Sequence, residues 1–283
     1  MDFLAPIEPV DYLLIGHVTQ DVTPAGFALG GTVSYASLTA HAFGKKVGIV
    51  TSCKSDLLIP ELAGIPVVRK PAQQNSTFEN VYTPNGRVQH IRGVAETLTL
   101  ADIPPVWRNT PIVHLGPVAA EIDPLLAQAF PKSMVCITPQ GWLRGWNGNG
   151  LISFIKWPQA VGVLKHARVV VLSIEDVQGS EDVIQEYVTE VPVLVVTEGS
   201  AGARVYWNGD VRHFCPPQEE EIDPVGAGDI FASSFFIRYA ATNDPWEAAR
   251  VATQLAARSV TRRALAGVPT PAEVQSSLSE IIH

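Results

Sequence analysis

The 283 residues are 46% hydrophobic and 17% charged, the make-up of a folded globular chain long enough for one large core or two small ones. Twenty basic against 28 acidic side chains leave a formal charge of −8 with no basic face in view, which argues against nucleic-acid binding; a polyanionic ligand would need local dipoles and a metal. Cys53, Cys136 and Cys215, odd in number and without a CxxC pair, speak against a disulfide framework or zinc site and are read as small buried hydrophobes, and the absence of a basic leader or an 18-residue apolar run sets the expectation of a cytoplasmic protein without membrane contact.

In chain order, short β-branched runs are predicted as strands at 12–18, 47–51, 112–115, 134–137, 168–172 and 193–197. Most are apolar on successive residues, as strands buried on both faces of a parallel sheet are. Helices are predicted between them at 32–43, 124–130 and 181–189, which makes the fold class α/β: an open, mostly parallel sheet sandwiched by helices, in one domain over 1–283. Residues 76–94 read instead as a polar-alternating hairpin around Pro84, Asn85 and Gly86, either a small β lid or an ordinary edge hairpin. A second pair of strands falls at 203–214, and helices at 227–239, 245–263 and 271–282 close the chain, with Pro245 and Pro271 at first-turn positions.

The residues that carry chemistry lie between those two halves. Asp223, Pro224, Val225, Gly226, Ala227, Gly228 and Asp229 lead into an apolar helix. Small residues let a ligand approach the backbone, and the first N–H groups of a helix lack partners and carry partial positive charge, so this is a candidate anion site with a carboxylate beside it. A glycine turn whose Asp229 merely stabilises the helix dipole is the alternative.

These residues resemble the C-terminal signature of the ribokinase-like, pfkB-type carbohydrate kinases, Asp-Thr-x-Gly-Ala-Gly-Asp, with Pro224 in place of Thr. Gly16 followed by Asp21, and Gly30–Gly31 before a helix, are similar to that family's N-terminal motifs, and Thr197, Glu198, Gly199, Ser200, Ala201, Gly202 to its Thr-x-Gly-x-x-Gly segment. The resemblance implies a ribokinase-like fold and a kinase moving a phosphoryl group from ATP to a hydroxyl of a small polyol. Asp229 is then the general base and Gly226, Ala227 and Gly228 the anion hole. Asp21, Gly30, Gly31 and Tyr35 contact the substrate, and Thr197, Gly199, Gly202, Gly226 and Gly228 the nucleotide. It also implies Mg2+, with Asp176 a ligand through water, possible monovalent cation binding near Asp223, and a monomer or homodimer.

Two departures bear on the acceptor. Tyr35 stands where the family commonly has Asn, and Ser173 and Asp176 take the outer places of its Asn-x-x-Glu. Together with the runs 16–21 and 140–144 they resemble the plant-type myo-inositol kinase branch. Arg144 is either a phosphate contact or a solvated surface residue. A nucleoside kinase, a non-catalytic nucleotide or polyol sensor, and a dinucleotide-dependent oxidoreductase are the rivals. The last wants GxGxxG after the first strand, and His17, Val18 and Thr19 follow Gly16 instead.

Overall fold

A computed structural model describes residues 7–24, 26–83 and 86–279. Its main body is a nine-stranded sheet. Seven strands run parallel in the order β5 (Val67–Pro71), β4 (Val47–Cys53), β1 (Tyr12–Ile15), β8 (Ile112–Leu115), β9 (Met134–Ile137), β12 (Val169–Ser173) and β13 (Val193–Thr197). Two antiparallel strands, β14 (Ala203–Trp207) and β15 (Asp210–Phe214), extend one edge.

The continuous apolar runs explain that burial. Leu13 and Ile15 of β1 enter one core, Tyr12 and Leu14 the other, as the two-residue period of a strand dictates. One face is covered by α1 (Thr32–Ala42), α4 (Ala227–Thr242) and α5 (Pro245–Ser259). The other packs on Trp107, Trp142, Trp157 and Tyr187, with α2 (Ala160–Leu164), α3 (Glu181–Val188) and short 3-10 turns, Trp142 stacked on Trp157 at 4.7 Å. α6 (Pro271–Leu278) ends the described chain and is capped by Thr270. No described helix is long and apolar enough to cross a membrane.

The structure departs from the sequence expectations in several places, and the helix expected over 245–263 ends at Ser259. Residues 124–130, expected as α-helix, form a 3-10 helix over Pro124–Gln128, and Pro131, which disfavours helical geometry at Phe130, leaves no room for the helix to run on. The first strand stops at Ile15. Cys215 is exposed, whereas Cys53 and Cys136 are buried as expected. The expected hairpin exists as β6 (Ser76–Thr83) and β7 (Gly86–Gly93), but it is half of a four-stranded sheet ordered β3-β2-β6-β7, with β2 (Thr19–Thr23) and β3 (Gly26–Gly30) read in the sequence only as motif. Pro84 and Asn85 of its turn, and the end of the last predicted helix, lie outside the described residues. A two-stranded ribbon, β10 (Arg144–Trp146) with β11 (Ile152–Phe154), adjoins β7 through a bridge between His90 and Leu151.

The small sheet is joined to the large one by buried polar groups. His17, just past β1, has Nδ1 2.7 Å from Ser76 Oγ and Nε2 2.9 Å from the Glu96 carbonyl. A carbonyl only accepts, so Nε2 carries the proton and Nδ1 accepts from Ser76. Glu121, 1% exposed, accepts from the backbone N–H groups of His17 (3.0 Å), Val118 (2.9 Å) and Ala119 (2.7 Å), locking the chain beyond β1 to the chain beyond β8. Each N–H stranded in a dry interior costs about 1–3 kcal/mol. Glu121→Ala is therefore expected to lose about 3 kcal/mol or more of unfolding free energy by urea titration; a loss below about 1 kcal/mol would show that water replaces the carboxylate.

Candidate active site

The loops after the parallel strands all open on one edge of the large sheet, where open α/β sheets place their ligands. Beyond β1 come Gly16 to Asp21; beyond β9, Thr138 to Arg144; beyond β12, Ser173 to Asp176; beyond β13, Thr197 to Gly202. The strand order puts Asp21 to one side and residues 197–202 to the other, with β8, β9 and β12 between them. α4, which packs over β8 and β12, begins at this edge with residues 226–229.

The start of α4 has the form of an anion site. Gly226 is the N-cap with φ +83°, a left-handed conformation that suits glycine, and the first helical bond runs from Ile230 N to the Gly226 carbonyl at 2.9 Å. The N–H groups of Gly228 and Asp229 therefore precede the helical ladder. Ala227, expected among the donors, gives its N–H to the Pro224 carbonyl at 3.2 Å. Asp223 braces the loop with both oxygens: Oδ1 accepts from Val225 N at 3.0 Å and Oδ2 from Ala264 N at 2.8 Å, which ties it to the chain beyond α5.

Asp229 is half-buried in the first turn of α4, and desolvation raises its pKa from the ordinary 3.8 to about 6. The Thr32 hydroxyl, bonded to the carboxylate, and the Arg144 guanidinium act the other way, while Asp176 and Asp21 add to the rise. So Asp21 and Asp176, from two other segments, lie within electrostatic reach of Asp229 and mark the candidate cleft. Asp21 lies on β2 against Gly30, where a Cβ would collide with its carboxylate, and its Oδ1 faces the Thr19 hydroxyl at 3.5 Å. Both Asp176 oxygens are engaged, Oδ2 by Ser173 N at 2.9 Å and Oδ1 by Gln140 Nε2 at 3.1 Å. That suits an outer-sphere role toward a hydrated cation, and among the described residues no cluster of three or more His, Cys, Asp or Glu forms a closed metal cage.

Tyr35 is placed otherwise than expected. It is 2% exposed and packs with Ile230, Val251, Leu255 and Val225, its ring so close beneath Gly226 that a Cβ there would fall inside it. Rather than offering a ring face to substrate, it supports the anion loop from below. Burial, then the Asp229, Asp21 and Asp223 carboxylates, push its phenol well above the usual range. Arg144 is not a solvated surface residue: it donates to the Val118 carbonyl at 3.1 Å and lies over the Phe78 ring at 5.6 Å.

Thr197 ends β13, and Gly199 and Gly202 have φ +58° and +105° around a 3-10 turn closed by Glu198 N to the Gly202 carbonyl at 2.7 Å. Sequence reasoning missed Thr32, Phe78 and Glu121. Thr32 follows Gly30 and Gly31 at the first position of α1, a signal that could have found it; Phe78 and Glu121 carry no local signal.

Comparison with known proteins gives the following. The pfkB family carbohydrate kinase pattern matches residues 167–272. An inositol 3-kinase of Zea mays is 26% identical over 226 residues, 78% of this chain and 57% of its own, so the chain spans little more than half of that relative. A cytidine kinase of Thermococcus kodakarensis is 23% identical over 254 residues, 81% of this chain and 88% of its own. A pyrophosphate-dependent kinase in the ribokinase family, solved with a pyrophosphate analog and myo-inositol, superposes with a TM-score of 0.79 at 18% identity over 94% of this chain and 99% of its own.

Gly226→Ala is expected to cost about 2 kcal/mol or more in a denaturation experiment, from left-handed strain plus collision with Tyr35. In a Tyr35→Ala background only the strain, about 1–2 kcal/mol, should remain. Equal costs in both backgrounds would mean that the ring does not carry the loop.

Proposed function

Because the chain carries a pfkB-family carbohydrate kinase domain on a ribokinase-like fold, we propose that it is an ATP-dependent kinase whose acceptor is a hydroxyl of a small polyol, a cyclitol or sugar, with Asp229 as the general base. The observation that carries this reading is the Asp229 carboxyl, with a pKa raised to about 6, in the first turn of α4 and in one cleft with Asp21. A base of that pKa is ionised at neutral pH and still able to take a proton from a hydroxyl.

In this reading Asp21 orients the acceptor, with Gly30 and Gly31 letting it approach the backbone. Asp229 receives the proton of the attacking oxygen. The N–H groups of Gly226 and Gly228, with that of Asp229 and without much share for Ala227, stabilise the charge on the phosphoryl group between donor and acceptor. Thr197, Gly199 and Gly202 lie on the donor side. Mg2+, carried on the donor phosphates and met by Asp176 through water, would neutralise charge on the group transferred. The four-stranded sheet covers the acceptor side as a lid and keeps out water, the competing acceptor.

A cyclitol is favoured by the likeness to the maize inositol 3-kinase and to the fold neighbour holding myo-inositol. A nucleoside is the second reading, favoured by the cytidine kinase relative. ADP release across cyclitols, pentoses, hexoses and nucleosides tests both: the highest kcat/KM is expected with a cyclitol or hexose, and a maximum with cytidine or adenosine would transfer the protein to the second reading.

Asp229→Asn keeps size and hydrogen bonding but accepts no proton, so kcat should fall by roughly 10² or more at unchanged ATP affinity. The fold should not suffer. A folded-state pKa above the ordinary 3.8 means that the ionised carboxylate opposes folding at neutral pH, and its stability contribution improves as pH falls through the window from about 6 to 3.8. The amide variant is thus expected to melt no lower than the parent at pH 7. For the parent, kcat/KM should drop tenfold per pH unit below an acid limb near 6. Retention of more than about a tenth of kcat in the Asn variant would remove Asp229 from the role of base.

A further inference from the structure

Of the three cysteines Cys215 alone is exposed, and a base and a carboxylate stand beside it. It follows the edge strand β15, two residues after His213, so the two side chains leave the chain on the same side. Pro216 disfavours helical geometry at Cys215, which carries that alternation past the end of the strand. Cys215 Sγ lies 3.5 Å from His213 Nδ1, and His213 Nε2 lies 3.5 Å from Glu198 Oε2. Glu198 is itself held in place: its Oε1 accepts from Arg204 Nε at 2.8 Å, and Arg204 is the register partner of His213 on β14. An ionised carboxylate only accepts, so the neutral imidazole keeps its proton on Nε2 and turns the Nδ1 lone pair to the thiol. Nucleophile, base and orienting carboxylate thus stand in a row. The same segment touches the turn on the donor side. A Cβ on Gly202 would fall on the Phe214 carbonyl and 3.0 Å from Pro216 Cδ, so the residues flanking Cys215 lie directly against Gly202. Glu198 belongs to that turn as well, its N–H donating to the Gly202 carbonyl at 2.7 Å.

We propose that Cys215 is a covalent modification site for low-molecular-weight disulfides, with His213 as its base, and that the mixed disulfide loosens the turn at residues 198–202. The thiol proton passes to His213 Nδ1 as Cys215 Sγ attacks one sulfur of the disulfide. A new S–S bond forms to the protein while the old one breaks, and the departing thiolate takes the proton from Nδ1. The protein thiol is oxidised to the mixed disulfide and the other half of the reagent is reduced to a free thiol, so no further oxidant is needed. Cys53 in β4 and Cys136 in β9 are buried and out of reach of such a reagent. Once the sulfur carries a substituent it has no proton for Nδ1, and the imidazole must give way on the side where Glu198 lies. Phe214 and Pro216, packed against Gly202, leave no slack to absorb that shift. The consequence for donor binding rests on the kinase reading above; the chemistry at sulfur does not.

The test takes the full chain, 2-hydroxyethyl disulfide as the probe, and intact-mass kinetics with melting curves on every variant. The parent should gain a single adduct at Cys215 that dithiothreitol removes, and folded Cys215→Ser should gain none. A positioned base is worth about 10² in an enzyme and less where water reaches it, so His213→Gln should slow the adduct about tenfold. Glu198→Gln, which leaves the base but not the charge that orients it, should fall between that variant and the parent. In the thiolated parent the Glu198 and Gly202 amides should exchange with deuterium roughly threefold faster or more. ATP Kd by calorimetry should rise about fivefold or more on thiolation and stay at the parent value in Cys215→Ser. Equal adduct rates in the parent and in a His213→Gln protein that melts with it would overturn the proposal, as would an adduct on Cys215→Ser or unchanged amide exchange after thiolation. A parent that is thiolated as expected but binds no ATP in either form would overturn the kinase reading and leave the modification site standing.

Discussion

Everything in the cleft turns on a carboxylate kept where carboxylates are costly. Asp229 sits at the start of a buried helix, partly desolvated and near two other carboxylates, each of which raises its pKa. The Thr32 hydroxyl and the Arg144 charge oppose that rise and leave the group balanced near 6. A more polar cleft would make Asp229 a weaker base, and a drier one would keep it protonated. The helix start adds donors that favour negative charge, so the group proposed as base and the N–H groups proposed to hold an anion share one turn of backbone.

That turn is set by packing from beneath. The left-handed Gly226 lies on the Tyr35 ring, and Asp223 ties the loop to Val225 and Ala264. α1 therefore contributes twice, through Thr32 to the carboxylate and through Tyr35 to the backbone, and α1 in turn follows directly on Gly30 and Gly31 of the small sheet. The cleft is assembled across the junction of two sheets. Glu121 and His17, buried with partnered polar atoms, fix where the second sheet leaves the first. Polar groups of this kind add directionality that apolar packing lacks: a carboxylate accepting several N–H bonds allows little sliding.

The parallel strands were legible because a strand buried on both faces must be apolar on successive residues, and the runs around residues 134–137, 169–172 and 193–196 are. The loop from Asp223 to Asp229 was legible because its chemistry is local: a left-handed glycine, unpaired N–H groups and a first-turn carboxylate all fall within seven residues. β2 and β3 were not, because a half-exposed, glycine-bounded pair of short strands has little hydrophobic period to show.

What the sequence by itself determined, then, is the parallel core and the glycine loop before α4, each specified by side chains close together along the chain. Only the tertiary structure decided which residues meet the loop. Phe78 meets Arg144 because β6 pairs with β2 in the register that sets it beside Asp21, 57 positions earlier, and a shift of one residue would turn it to the other face. Tyr35 went under the loop rather than toward a ligand because α4 docks on α1 with Gly226 above the ring, and no periodicity in either helix encodes which of its neighbours an aromatic ring will meet. Arg144 became part of the cleft through a carbonyl at Val118 and a ring at Phe78, partners that proximity along the chain could not supply.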